Sequence, residues 1–179
     1  MRYLLAIAVS LPLATSAFAQ SAPTAATDVL KGDIEKVFAT MGKGGDSQLI
    51  ITALSKGQIG VGIVHWPPGT RGVLSHSQVD EFYYMLEGTG TLLTGGTIVD
   101  GKPMAGTSEV VTVLVGPSTS GTKVTGGTTR KIGPGDIVVI PAGVPHQWLT
   151  VDTDMRYLDI RVDPDSVLRK DYVNPHLKK

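Results

Sequence analysis

Cysteine is absent from the 179-residue chain, and histidine is scarce, with four residues. Without thiolates the chain has no disulfide, no cysteine-ligated zinc or iron–sulfur cluster and no cysteine nucleophile. Neither sign of charge is in excess, because Lys and Arg total 16 and Asp and Glu total 16. A nucleic-acid-binding protein normally carries a basic excess, so the composition argues against nucleic acid as a partner.

Charged residues are also few, at 18%, while hydrophobic residues make up 41% of the chain. That apolar content is enough to bury a core, and the length fits one domain. The chain has 22 glycines and 11 prolines, which indicate many turns and favour short strands over long helices.

The N-terminal residues have the pattern of a signal peptide. Arg2 precedes an apolar run over residues 3–13 that is too short to span a bilayer, and a small-x-small pattern ends at Ala19. An uncleaved anchor helix is the alternative, disfavoured by the short run and by Pro12. We expect removal of residues 1–19 near Ala19 and a periplasmic or secreted protein that does not span the membrane.

The rest of the chain has mainly strand patterns. Apolar spacing predicts a short helix over residues 28–41 within a leader that spans residues 20–45. About nine short strands follow, and we assign them to one β domain, residues 46–163, ahead of a charged tail, residues 164–179, with at most one helical turn. The predicted strands cover residues 48–54, 59–66, 81–86, 91–94, 109–115, 129–132, 136–140, 146–151 and 156–162. The predicted fold class is all-β, a sandwich or barrel, with residues 95–127 as an elaborated loop region around strand 109–115.

One segment fixes the direction of a histidine side chain. Gly135 and Gly143 permit tight turns on either side of a predicted strand, Pro141 ends that strand, and His146 opens the next one. These residues have the spacing G-x5-P-x-G-x2-H, which resembles the second motif of the cupin superfamily, although Thr150 replaces the asparagine that ends the motif.

A second segment resembles the first cupin motif in part. The family pattern is G-x5-H-x-H-x3–4-E-x6-G, and His76, Glu81 and Gly88 match it. Leu74 stands where the family has its first histidine, and Gly69 is one residue short of the ideal spacing. The resemblance covers roughly residues 60–150 and implies a cupin-like double-stranded β-helix, or jelly-roll, barrel behind a short N-terminal helix.

The resemblance also implies a metal site. The family's ligands at these positions are His76, Glu81 and His146, whereas Leu74 cannot coordinate a metal. Two imidazoles and one carboxylate have the composition of a non-haem iron(II) triad, and they also suit manganese, nickel or zinc. The expected cofactor is therefore a divalent transition metal of unassigned identity. The alternative is a metal-free barrel in which Glu81 pairs with Arg71 or Arg161 as a structural ion pair.

Strand alternation adds further candidates. If Glu81 faces inward, Tyr83 and Met85 do too, and Tyr83 then becomes a candidate proton or hydrogen-bond donor to a substrate. We assign Tyr83 and Glu81 as the catalytic candidates. Arg71 is a weaker candidate for holding a carboxylate ligand. We interpret His65 as a core histidine and only secondarily as a candidate site residue, and His176 as solvated.

Two functions fit these observations. The first is a small-molecule metalloenzyme, with dioxygenase-type oxidoreductase chemistry favoured on the ligand set and lyase or isomerase chemistry as alternatives. The second is a non-catalytic periplasmic module that binds or senses a small ligand, motivated by the missing histidine at Leu74. The exposed edge of an open barrel makes a homodimer a further expectation.

Overall fold

The structure is a computed structural model that describes residues 25–177. Its described part has one α-helix, α1 (Lys31–Thr40), a π-helix (Val110–Val115), a 3-10 turn (Pro175–Leu177) and thirteen strands. The strands are β1 (Gly45–Ala53), β2 (Gln58–Trp66), β3 (Val73–His76), β4 (Asp80–Glu87), β5 (Gly90–Thr94), β6 (Thr97–Val99), β7 (Lys102–Pro103), β8 (Ser118–Gly121), β9 (Lys123–Thr125), β10 (Thr128–Ile132), β11 (Ile137–Ile140), β12 (His146–Val151) and β13 (Met155–Asp163).

Two antiparallel sheets form the barrel. One has the strand order β1-β2-β13-β4-β11 and the other β10-β5-β12-β3-β8-β7, while β6 and β9 form a separate ribbon. Side chains from both sheets meet in one apolar core, which joins Tyr83 and Met85 of the first sheet to Leu92 and Trp148 of the second. The predicted all-β jelly-roll barrel with a short N-terminal helix is confirmed.

Strand β13 shows how alternation builds both faces of the first sheet. Its alternate residues from Met155 to Asp163 are buried, and the residues between them are half-buried. The buried set includes Asp159 and Arg161, so this strand places charged side chains inside the barrel. Such charges are tolerated inside a protein only when they are paired.

Helix α1 covers part of the outer face of the first sheet. Val37 and Phe38 are buried against Leu49 and Ile63, so these side chains form a second apolar cluster outside the barrel. The helix predicted over residues 28–41 is therefore confirmed, with shorter bounds.

The strand predicted over residues 109–115 is wrong. The segment Val110–Val115 is a π-helix that ends at Gly116, whose φ of 64° favours glycine. Ser108 starts the helical turn, because its hydroxyl accepts a bond from Val111 N–H and its carbonyl accepts one from Thr112 N–H. The valine-rich run has strand propensity and an alternating burial, but local bonds satisfy its backbone in place of a sheet ladder.

The surrounding region is more ordered than predicted. Residues 95–127 include strands β6, β7, β8 and β9, which are short and rich in Ser, Thr and Gly. Strand β3 was not predicted either, because its four residues are too few to show the alternation of apolar and polar side chains that marks a strand.

The N-terminal residues lie outside the described part of the chain, whereas most of the C-terminal tail lies within it. The signal peptide predicted over residues 1–19 lies outside the described residues, so export stays a prediction, as do the domain division and the homodimer. No helix among the described residues is long and apolar enough to cross a membrane. In the tail, the 3-10 turn is the single helical turn expected, while Leu168 and Asn174 are buried.

Candidate metal centre

Three strands present the candidate ligands to one point inside the barrel. His76 ends β3, Glu81 is the second residue of β4, and His146 opens β12. All three are buried, with exposed fractions of 2%, 2% and 7%. The structure thus brings together the three residues that the motif spacing selected.

The turn before His146 ties two of these strands together. Gly143 has a φ of 84°, a conformation that favours glycine, and its N–H donates a 2.6 Å bond to the carbonyl of His76. Val144 N–H closes the turn on the carbonyl of Pro141. The glycine of the motif therefore fixes the relative positions of the two histidines.

The donor atoms of the three side chains converge. Nε2 of His76 lies 3.3 Å from Oε1 of Glu81, and Nε2 of His146 lies 3.5 Å from Oε2 of the same carboxylate. One donor atom from each residue lies within 4.8 Å of the other two. Donors about 2.0–2.2 Å from a common ion are themselves separated by about 3.0–3.6 Å, so the two distances to Glu81 fit a bound divalent metal.

Hydrogen bonds on the far side of each imidazole fix its tautomer. Nδ1 of His76 is 2.8 Å from Oγ of Ser118, and the same Oγ has two carbonyls to which it can donate, Gly116 at 2.9 Å and Val115 at 3.2 Å, so it is placed to accept from Nδ1–H. Nδ1 of His146 is 3.2 Å from the carbonyl of Val144, which can only accept. When it is neutral, each imidazole therefore carries its proton on Nδ1 and directs an Nε2 lone pair at the Glu81 carboxylate, as metal-bound histidines do.

A buried charge cluster lies behind Glu81. The guanidinium of Arg161 is fully buried and contacts Asp159 at 2.6 Å, Gln48 at 2.8 Å and Glu81 at 3.6 Å, and it also bonds to Asp46. The three carboxyl groups outnumber the one guanidinium, although burial raises the pKa of Asp46 and of Asp159, which reduces the negative charge that the cluster carries. A cation between the three ligands would offset the negative charge of Glu81.

The electrostatic environment shifts the pKa of each acidic group. Burial raises the pKa of Glu81, but when the neighbouring imidazoles are protonated, the charges of His76, His146 and Arg161 outweigh that effect and hold it well below its usual range. Burial raises the pKa of Asp159 well above the ordinary value, and nearby Glu81 adds to the rise. Burial also lowers the pKa of the His146 imidazole. Glu81 thus remains a carboxylate, and His146 releases its proton more readily than an ordinary imidazole, so both can take the forms that bind metals.

Tyr83 points into the barrel, as the alternation predicts. Its hydroxyl donates a 2.7 Å bond to Oε2 of Glu81. Burial and the Glu81 charge raise its pKa well above 10, so the phenol keeps its proton at neutral pH. Its role as a catalytic residue stays a prediction.

A cavity of about 320 Å³ opens onto the three candidate ligands. Its walls include Val64, Trp66, Leu74, Trp148 and Tyr157. A larger hollow of about 460 Å³ lies between α1, the π-helix and the tail, away from His76 and His146. The smaller cavity is the candidate substrate site, because it is the one that reaches the ligand set.

Other residues from the sequence fall in different places. His65 does not share the site, since its ring lies 2.8 Å from the Asp154 carboxylate and its strand face is the one that α1 covers. His176 is exposed, as predicted. Of the two arginines considered for an ion pair with Glu81, Arg161 makes the contact and Arg71 does not.

Asp46 and Asp159 were missed at the sequence level. The signal for Asp159 was present in β13, where its parity matches that of buried Tyr157 and Arg161. Asp46 offered no such signal, because it lies near the start of a strand whose first residues are only half-buried.

The barrel topology and the motif positions define the protein as one with a cupin fold. No protein-family model matches the chain, and no curated protein matches it either. Among solved structures, it is similar to the DMSP lyase DddQ from Ruegeria pomeroyi, with 17% identity and a TM-score of 0.44. That similarity covers 79% of this chain and 56% of DddQ.

Two further structures show the same level of similarity. Ectoine synthase from P. lautus is 16% identical over 61% of this chain and 56% of its own, with a TM-score of 0.40. A cupin protein from Bacteroides fragilis is 22% identical over 60% of this chain and 68% of its own, with a TM-score of 0.38. This chain thus spans little more than half the length of the two enzymes. Such similarities concern the arrangement of strands, and nothing about the ligand or reaction of this chain follows from them.

Proposed function

We propose that this chain is a metal-dependent enzyme that acts on a small organic molecule inside a cupin barrel. The observation that supports the proposal is the buried convergence of Nε2 of His76 and Nε2 of His146 on the carboxylate of Glu81. When both imidazoles are neutral, their lone pairs and the carboxylate repel one another unless a cation lies between them, and two imidazoles with one carboxylate suit a divalent transition metal.

Three protein ligands leave coordination positions for other molecules. When bound, a transition metal held by this set would act as a Lewis acid or bind dioxygen. We favour dioxygenase-type chemistry on the ligand composition, while lyase or isomerase chemistry would use the same three residues. The composition suits iron, manganese, nickel or zinc.

The protein supplies orientation, exclusion of water and a proton. The cavity walls hold a small substrate against the three ligands and keep bulk water away. Tyr83 retains its proton next to the site, so its hydroxyl can donate to a substrate oxygen or keep Glu81 oriented. Arg161 adds a positive charge next to the same carboxylate, with its Nε 3.6 Å from Oε1 of Glu81.

A non-catalytic binding module is the second candidate. Leu74 favours it, because this side chain lines the cavity at a position where the resemblance places a fourth ligand. Such a protein would hold a small ligand in the same cavity without turning it over.

Metal analysis tests the central claim. Protein purified without chelators, or reconstituted with iron, manganese, nickel or zinc, should contain a stoichiometric amount of one of these metals. The His146→Ala and Glu81→Gln variants should lose it, while His65→Ala, which removes a histidine outside the site, should keep it. The absence of metal from wild-type protein after reconstitution would refute the proposal.

Turnover separates the two candidates. Loaded protein that converts a small molecule, with a loss of turnover in Tyr83→Phe at unchanged metal content, supports an enzyme in which Tyr83 is catalytic. Ligand binding that survives in metal-free His146→Ala supports the binding module.

A further inference from the structure

The metal-site cavity has a single cationic side chain in its wall, Arg71, among the residues that the structure describes. We propose that the cavity accepts a small organic acid whose carboxylate binds the Arg71 guanidinium. This inference extends the proposed function by naming its substrate class: the carboxylate end lies at Arg71 and the reacting end at the His76, Glu81 and His146 cluster.

The Arg71 guanidinium is held in place but keeps donors free. It donates through Nη1 to the carbonyl of Thr70 at 2.9 Å and through Nη2 to the carbonyl of Pro67. It lies 4.9 Å from the centre of the Trp66 ring, within the range of a cation–π contact. Its Nε is buried with no hydrogen-bond partner. A guanidinium has five N–H donors, so three remain for a ligand.

The Arg71 main chain is tied to the strand that begins with His146. The N–H of Arg71 donates to the carbonyl of Trp148 at 3.0 Å, and the Gln147 side chain donates to the carbonyl of Arg71 at 3.0 Å. The loop that bears Arg71 is thereby fixed relative to the metal ligands. A guanidinium held at a fixed position can orient a substrate and not merely attract it.

The charge of Arg71 has no counter-ion within the described part of the chain. The other arginines with ion pairs there are Arg156, Arg161 and Arg169, and Arg71 forms none. The buried carboxylates of the cavity belong to the cluster around Arg161. An arginine in a cavity wall with unused donors and no partner favours an anion, and its planar edge matches a carboxylate.

The remaining residues of the cavity wall indicate what kind of group the acid carries beyond its carboxylate. Apolar and aromatic side chains line one part of the cavity, at Val64, Trp66, Leu74, Trp148 and Tyr157, while Asp46, Asp159 and the three candidate ligands supply further charged and polar groups. Such walls favour an apolar or aromatic group over a sugar or a second charge. The volume of about 320 Å³ limits the ligand to a small molecule. A monocarboxylate with an apolar body therefore fits both Arg71 and the apolar part of the cavity wall.

Tryptophan fluorescence measures the binding directly, because the chain has two tryptophans and both line this cavity. We would titrate zinc-loaded and metal-free protein with benzoate, phenylacetate and hexanoate. The matched uncharged probes are benzamide, phenylacetamide and hexanamide, and the matched cationic probes are benzylamine, phenethylamine and hexylamine. We expect at least one acid to bind about tenfold more tightly than its amide and its amine.

The Arg71→Gln variant should weaken acid binding about tenfold or more at unchanged metal content, and Arg71→Lys should restore only part of it. Arg156→Gln is the matched control, because Arg156 also lies over an aromatic ring, Phe38 at 5.1 Å, but outside the cavity. It should bind like wild type. Circular dichroism checks that each variant folds. If Arg71→Gln does not fold, the acid affinity of Arg71→Lys tests the inference in its place.

Two results would overturn the inference: none of the acids binding better than its matched amide, or Arg71→Gln and Arg71→Lys both binding like wild type. Failure of the proposed function has a different signature, since protein that takes up no metal can still bind an acid at Arg71 in the metal-free titration.

Discussion

His76 and Ser118 form a buried pair in which the serine hydroxyl fixes the histidine tautomer. Nδ1 of His76 lies 2.8 Å from Oγ of Ser118, and this Oγ can donate to the carbonyl of Gly116 at 2.9 Å or of Val115 at 3.2 Å. Because Oγ is then free to accept, a neutral His76 carries its proton on Nδ1 and directs the Nε2 lone pair at Glu81. A residue 42 positions away thus orients a candidate metal ligand.

Replacing Ser118 should weaken metal binding. In Ser118→Ala the His76 ring loses the partner that sets its tautomer and orientation, a kind of contact whose loss costs about 10–100-fold in metal affinity. Zinc affinity measured by competition with a chelator gives the value. Ser77→Ala is the control, since Ser77 donates to the carbonyl of Pro117 on the exposed side of the same loop. Equal affinities in the two variants would contradict the proposed role of Ser118.

Replacing Leu74 with histidine should strengthen metal binding. Leu74 lies directly opposite His146 in the pairing of β3 with β12 and lines the cavity. Leu74→His would place a third imidazole where the cupin motif has one, so we expect metal affinity to rise by roughly tenfold or more. Leu74→Asn controls for polarity, because an amide is a poor ligand for transition metals. If both variants bind zinc like wild type, this side chain does not reach the metal.

The sequence was informative wherever a local spacing determined the geometry. In the segment from Gly135 to His146, the turn residues fix the backbone within a few positions, so the direction of the histidine follows from the chain itself. The meeting of His76 with His146 needed the family resemblance as well, because no local rule relates strands so far apart.

The features that sequence reasoning missed depend on long-range packing. Whether Asp46 and Asp159 are solvated or buried is decided by their contact with Arg161, which joins β1 to β13 across 115 positions. The π-helix Val110–Val115 shows the same limit, since β-branched residues favour a strand only where a neighbouring strand is available to pair with them. His65 was ambiguous because strand parity alone does not say which face is the inside of the barrel.

Arg161 should be essential to the stability of the metal-free protein. It is fully buried among three carboxylates, so Arg161→Met leaves buried negative charge without its partner and should cost about 3–5 kcal/mol in the free energy of unfolding. Urea unfolding in the presence of a chelator measures the loss. Arg156→Met removes a partly exposed pair with Glu87 at 3.8 Å and should cost less than about 1 kcal/mol.

Zinc should partly rescue the Arg161→Met variant. With the guanidinium gone, a divalent cation is the remaining counter-charge for Glu81, so zinc should raise the melting temperature of the variant more than that of wild type. An equal rise in both proteins would show that the metal and Arg161 do not share the same buried charge.

The stability of the metal-free protein should depend on pH through His146. Burial lowers the pKa of this imidazole in the folded state below the ordinary value of 6.5, so the unfolded chain takes up the proton first as the pH falls. The neutral imidazole therefore contributes stability that is present above pH 6.5 and is lost as the pH falls through the folded-state pKa. His146→Gln cannot titrate and lacks this contribution.

Urea unfolding of both proteins with a chelator at pH 7.5, 6.5 and 5.5 isolates this effect. The raised pKa values of Asp46 and Asp159 act in both proteins, so the difference between wild type and His146→Gln reports mainly on the imidazole. We expect wild type to lose stability relative to the variant as the pH falls across this range. Parallel curves, or a relative gain by wild type on acidification, would show that His146 is not held neutral in the folded barrel, and the lone pair directed at Glu81 would then carry a proton in place of a metal.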